Sequence, residues 1–272
     1  MELEMGCKKN FRQKTYLFFF ISLMAVFSFV SHAETVLAQQ PLGKGDASHY
    51  SYVMINRASF MKKRPMTPSG AIFKVEGDKD MISEGDKVYI RPANNTPLIL
   101  GRYYTVYRTL PLLKDKKTEL PIGIQHYVTG VVEITRKEPR FVTATVVESF
   151  RTIKRDDLLM PYAYRSAQIP LKQSPPGIAG KIIASEDGGN IIGEGSVVFI
   201  DRGRKHGIAV GQEYVISYQE KARPDPKSAQ EILLPPVDYG ELLILHAEKH
   251  LSTALITRSD MTIHIGSKFR SK

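Results

Sequence analysis

Cysteine occurs once in the 272 residues, at Cys7, ahead of an N-terminal apolar segment rather than at its end. That position is wrong for the lipid-modified cysteine of a lipoprotein leader, and the residue departs with the leader. The remainder of the chain has no cysteine, which rules out disulfides, thiolate metal sites and a cysteine nucleophile and leaves stability to packed cores. A long apolar run is missing too. The uncharged stretch at residues 16–30 falls short of the roughly 20 residues a membrane-spanning helix needs. It is preceded by Lys8, Lys9, Arg12 and Lys14 and followed by Ser31, His32 and Ala33, with small residues where a signal peptidase reads them. This layout predicts a signal peptide over residues 1–33, cleavage after Ala33, export to the periplasm and membrane contact only through the transient leader.

Catalytic signatures are also scarce. No Gly-x-Ser-x-Gly nucleophile turn is present. Ser149 and Ser259 recur at strand ends before turns, where a hydroxyl bonding the turn backbone is expected rather than a nucleophile. Glu76 with Glu186 and Glu84 with Glu194 recur as well, in turn regions beside lysines or glycines, and read as surface charge rather than as paired wall-hydrolase acids. His246, Glu248 and His250 are the nearest approach to a metal cluster, but zinc takes three or four convergent ligands, and a solvated hairpin loop is the expectation. The segments at 187–190 and 201–203 lack the alternating oxygens and closing glutamate of a calcium loop. No catalytic residue, metal site or cofactor is assigned.

What the sequence does contain is itself, twice. Residues 70–162 align without a gap on residues 180–272 at an offset of 110, with 21 identities in 93 positions. Gly85 and Gly195 each follow a glutamate and precede an alternating run, Val88 and Ile90 in one copy, Val198 and Ile200 in the other. Gly101 and Gly211 do the same ahead of Tyr104 and Tyr214, and Gly130 and Gly240 open a third matched run. Glycine turns feeding period-2 alternation are strand chemistry. The retained tyrosines Tyr104 and Tyr214 are expected in the core; Tyr50, Tyr52, Tyr103 and Tyr107 fit either a core or a groove. Each copy carries about five short strands with no helical period, and closure into a small barrel removes the exposed edges. The predicted fold is all-β: two tandem small barrels at 70–162 and 180–272, joined by a proline-bearing, semi-rigid spacer at 161–179 and preceded by a disordered or extended lead-in at 34–69.

The formal charge is +10, and loss of the first 33 residues, with four basic and two acidic side chains, leaves +8. For an exported protein this excludes nucleic acid and predicts an acidic envelope protein or an anionic wall polymer as partner. The basic clusters at 62–64, 114–117, 136–140 and 202–205 lie between predicted strands and read as solvated loops.

The pattern Glu-Gly-[Asp/Ser]-x-Val-[Tyr/Phe]-Ile, Gly-x-x-Tyr, Gly-x-[Val/Leu]-x-Ile and Ala-x-[Val/Ile]-x-x-Ser-x-x-x-Ile resembles the tandem β modules that follow LysM domains in Gram-negative envelope proteins. More distantly it resembles the C-terminal domain of flagellar assembly protein T. The nearest match is the stretch 198–211, and the resemblance covers residues 70–272. It brings no catalytic residue. Residues 34–69 are too short for a LysM domain and lack its pattern, so peptidoglycan binding is not carried over with the resemblance. The loop with Asp201, Gly203 and Gly207 has no glycine in its copy-one equivalent at 91–97; if that loop binds, copy two alone does so. These readings point to a non-enzymatic envelope protein with a binding or scaffolding role, associated with peptidoglycan in its family context. The alternatives are a structural part of a flagellar or secretion apparatus and a wall-acting enzyme with its site between the barrels.

Overall fold

The computed structural model describes residues 49–93, 97–115, 118–224 and 230–272. The predicted leader, the predicted cleavage position after Ala33 and the lead-in up to residue 48 lie outside them. The strands are β1 (His49–Ser51), β2 (Phe60–Lys62), β3 (Gly70–Val75), β4 (Lys87–Pro92), β5 (Tyr103–Thr109), β6 (Leu113–Lys114), β7 (Pro121–Lys137), β8 (Val142–Ser149), β9 (Leu158–Pro161) and β10 (Gln168–Pro170). The second half continues with β11 (Ala179–Ser185), β12 (Ile191–Ile192), β13 (Val197–Ile200), β14 (Glu213–Tyr218), β15 (Lys221–Ala222), β16 (Ile232–Leu233), β17 (Val237–Ala247), β18 (Ser252–Ser259), β19 (Ile263–His264) and β20 (Lys268–Ser271).

Alternation dictates the barrels. In β4, Val88 and Ile90 are fully buried while Lys87 and Tyr89 point outward, and Val198 and Ile200 of β13 repeat the inward pair. Strands with one apolar face close on themselves: β3-β4-β8-β7-β5-β9 returns to β3, and β11-β13-β18-β17-β14-β20 returns to β11, all antiparallel. Each barrel therefore has six strands, not about five. The short closing strand, β9 or β20, bridges the first strand and the Tyr104 or Tyr214 strand.

The duplication extends to register and to irregularity. Val88 faces Ala144 as Val198 faces Ala254. Bulges fall after Ile72 and Ile182, after Val106 and Ile216, and after Ile134 and Ile244. The bridge Ile82 to Ile153 is matched by β12 on β19, Ile192 to Ile263. A bulge that re-aims a strand is a built-in feature of a barrel corner, so its retention at a fixed offset marks one architecture used twice. Among the core residues of the first barrel, only Val75 and Val142 have polar counterparts at the 110-residue offset, Ser185 and Ser252.

The segments around the barrels depart from expectation. Of the lead-in read as disordered or extended, the described part forms β1, a 3₁₀ turn at Val53–Arg57 and β2, with Ile55, Ala58, Phe60 and Met61 buried. The spacer also joins the fold, since β10 pairs with β1 and Ile169 is buried. Neither segment has enough periodic apolar residues to signal an element. Both gain their burial from the outside of the second barrel, where Ile55, Ala58 and Ile169 cover Val197, Leu243, Leu245 and Leu255. Met61, Leu113 and Ile122 cover Ile183, Phe199 and Leu251. The barrels thus pack against each other instead of being held apart. Among the described residues no helix is long and apolar enough to cross a membrane.

Candidate functional site

The loop at 201–207 leaves β13 and is tied down at once: Asp201 Oδ1 accepts a bond from the Lys181 amide (2.8 Å), and its other oxygen pairs with Arg202 (3.0 Å). Gly203 is required by proximity, since a Cβ there would collide with the Glu248 carbonyl and lie 2.6 Å from the backbone of His250 and Leu251. This contact lets the 3₁₀ turn Arg204–His206 run beside the β17–β18 hairpin loop. The Arg204 amide donates to the Glu248 carbonyl (2.8 Å) and the Lys205 amide to the Lys249 carbonyl (3.1 Å). Gly207 ends the turn at φ 85°, a conformation that suits glycine.

The two loops that sequence reading left separate are therefore one surface, and β2 adds a third segment to it. Lys62 Nζ reaches Glu248 Oε1 (3.3 Å), which also bonds His246 Nε2 (3.0 Å). Burial pushes the Glu248 carboxyl upward, but the His246 bond and Lys62 outweigh it and hold the group below its ordinary range. Desolvation lowers His250, and the charges of Lys205, Lys249 and Lys63, with His206 nearby, lower it further. His206 is lowered by desolvation and by Lys205 and Arg202, and its Nδ1 takes the Gly203 amide proton (3.0 Å). Behind the desolvation, the neighbouring lysines and arginine oppose a further positive charge on either ring.

The surface is an open groove of about 540 Å³ between Lys62, Lys63, Arg64 and residues 248–251. A neighbouring groove of about 360 Å³ has Lys63, Lys181, Lys205, His206 and His250 on its walls, with Asp115, which pairs with Lys181 (3.3 Å), Asp201 and the apolar Ile122, Ile183 and Leu251 also among its lining. Basic segments expected to be scattered, 62–64 and 202–205, converge here, whereas 136–140 lies at the first barrel, where Arg136 pairs with Glu138 (2.6 Å). The arrangement suits an extended anion with some apolar body. Among the described residues no three His, Cys, Asp or Glu side chains are placed to hold a metal ion.

The other singled-out residues fall as follows. Gly85, Gly101, Gly195 and Gly211 turn at positive φ, whereas Gly130 and Gly240 lie within β7 and β17 at close strand contacts. Tyr104 and Tyr214 are core residues, Tyr214 donating to Gln212 Oε1 (2.8 Å) and pushed up to about 12 by burial. Tyr107 is fully buried, Tyr50 and Tyr52 pack at the lead-in, and Tyr103 is exposed beside Tyr162. Ser149 and Ser259 donate to carbonyls two residues on, at Arg151 and Met261.

Glu186 corrects its reading as surface charge. It is buried and pairs with Arg151 Nη2 (2.7 Å), while its other oxygen accepts the Ser59 amide (2.6 Å). Its copy-one counterpart Glu76 remains exposed, so the repeat itself hid the difference. Sequence reading also missed His126, which is buried and stacked on Phe60 (4.8 Å), and Asp157, which is buried and held by both nitrogens of an Arg108 fork (2.7 and 2.9 Å). Neither belongs to a motif; tertiary packing alone defines them.

The fold and site define a class: an all-β protein of two tandem six-stranded barrels with a basic groove at the second. No known family model matches the chain, and no curated protein is significantly similar to it.

Proposed function

We propose that this chain is a non-enzymatic, exported envelope protein that binds an anionic wall polymer through the basic groove at the loops 201–207 and 246–250. The observation that carries this reading is the convergence of three segments distant in sequence, bringing Lys62, Lys63, Arg64 and Lys249 to one groove and Lys205 to the groove beside it, with Lys63 and His250 on the walls of both. Their spacing gives a distributed positive field rather than a point site, which suits a polymer bearing repeated carboxylates or phosphates more than a single small ligand. The leader-like N-terminus supports export, and export would bring such a polymer within reach. Two barrels packed as one unit give the groove a rigid mount, as a scaffold component needs.

The test is co-sedimentation of the purified chain with purified sacculi at rising ionic strength. Retention that weakens with salt, without release of soluble wall fragments, is the expected result. Absence of retention at low salt defeats the binding reading, and release of fragments defeats the non-enzymatic one.

A further inference from the structure

The contact between the two barrels uses a face that the first barrel also possesses and leaves open. On the second barrel, Ile183, Phe199 and Leu251 form an outward patch covered by Met61, Leu113 and Ile122. The 110-residue offset places Phe73, Tyr89 and Phe141 at the same three positions of the first barrel. These three rings form a cluster, with Phe73 and Phe141 6.1 Å apart and Tyr89 and Phe141 5.7 Å apart, both edge to face. Phe73 is 40% exposed, and Tyr89 and Phe141 are half-buried. Phe73 on β3, Tyr89 on β4 and Phe141 just ahead of β8 lie outside the barrel core and are not needed for its closure.

The element that would cover them is duplicated as well. In the first half, the hairpin formed by β6 and the start of β7 projects beyond its barrel and presses Ile122 onto the second barrel. In the second half, β15 and β16 form a hairpin at the same place in the topology with its pairing shifted by two residues; Ile232 stands where Ile122 stands, whereas Leu113 has Arg223 as its counterpart. Here the apolar side chains are left in solvent: Ile232 is 42% exposed, Leu233 61% and Val237 47%. Met261, the counterpart of Arg151, adds another exposed apolar side chain at that end (54%). One chain thus carries an exposed aromatic patch at its first barrel and an exposed apolar arm at its second; the patch occupies the positions of one already covered within the chain, and the arm shares with the covering segment its place in the topology and the Ile122 position.

We propose that two copies of this chain associate head to tail, the β15–β16 arm of one docking on the Phe73, Tyr89 and Phe141 face of the next. The contact is narrower than the internal one. Lys87, Glu133, Thr135 and Thr145 occupy the positions of Val197, Leu243, Leu245 and Leu255, so only the aromatic part of the face repeats, and the Arg151 to Glu186 pair has no equivalent across it. Association is therefore reversible and depends on concentration. Because the two surfaces differ, the contact is heterologous and repeats into a ring or an open filament.

Sedimentation velocity of the purified chain, from about 1 to 200 µM as expected for a small interface, reads the association directly. The expected result is a sedimentation coefficient that rises with concentration in the native chain. It stays at the monomer value in Phe73→Glu/Phe141→Glu and in Ile232→Glu/Leu233→Glu. An equimolar mixture of these two variants, with one intact face between them, forms a dimer and stops there. A native chain that remains monomeric overturns the proposal, as does a variant that associates like the native chain or a mixture that gives no dimer. Thermal melts confirm folding; if Phe141→Glu unfolds the first barrel, Phe73→Ser probes the same face alone and in the mixture.

Discussion

Arg151 of the first barrel and Glu186 of the second form a buried ion pair at 2.7 Å, with side-chain exposures of 13% and 4%. The arginine also donates to the carbonyls of Arg57 and Val128, and the glutamate accepts the Ser59 amide. The pair therefore joins the lead-in and both barrels at one point. Removing one partner strands the other charge, which costs about 3–5 kcal/mol, whereas removing both costs less. Urea unfolding is expected to show a large loss in Arg151→Met and in Glu186→Gln, with partial recovery in the double variant. Single variants within about 0.5 kcal/mol of the native chain, the range of ordinary surface changes, contradict a joining role.

His126 makes the fold acid-sensitive. Its Nε2 accepts the Met66 amide (3.2 Å) and its Nδ1 faces the Ile124 carbonyl (3.2 Å), the pattern of a neutral ring. Burial lowers its pKa to about 4, against the Ile124 bond that favours the charged form. A group whose folded pKa is depressed contributes stability above its unfolded value and loses it as pH falls. Stability should thus decline from about pH 6.5 toward pH 4, by up to roughly 3 kcal/mol. His126→Gln should flatten that part of the profile; an unchanged slope between about pH 6.5 and pH 4.5 removes His126 as its source.

Gly211 and Gly101 occupy equivalent turns at φ 88° and 73°, yet they differ in surroundings. A Cβ at Gly211 would collide with the Pro170 carbonyl of the spacer, whereas Gly101 has open space around it. Gly101→Ala should cost only the left-handed backbone penalty of about 1–2 kcal/mol. Gly211→Ala should cost more by a further ~1–3 kcal/mol of overpacking, read by thermal unfolding of both variants. Equal losses show that the spacer does not press on that turn.

The barrels were legible because Val88, Ile90, Tyr104 and their counterparts repeat both a period of two and an offset of 110, signals that survive in a single chain. The contacts between the repeats were not legible for the opposite reason: an interface between two copies is where they must differ. Glu186 differs from Glu76 only in what surrounds it, and Ile183, Phe199 and Leu251 look like ordinary outward strand residues until Met61 and Ile122 cover them. The Asp201, Gly203 and Gly207 loop was visible as a feature of copy two alone. Its assembly with Lys63 and Lys249 depends on β2 crossing from the lead-in, which no local pattern announces.

Charge reversal confined to the groove tests the functional reading most directly. Lys63→Glu/Lys205→Glu/Lys249→Glu changes the groove, and Arg91→Glu/Lys137→Glu/Lys154→Glu makes the same net charge change at exposed positions of the first barrel. In co-sedimentation with purified sacculi at low salt, the groove variant is expected to lose at least about tenfold in affinity, in line with the loss of several exposed charge contacts. The control variant should stay close to the native chain. Equal losses in both variants, or undiminished retention of the groove variant, contradict a binding site at the second barrel.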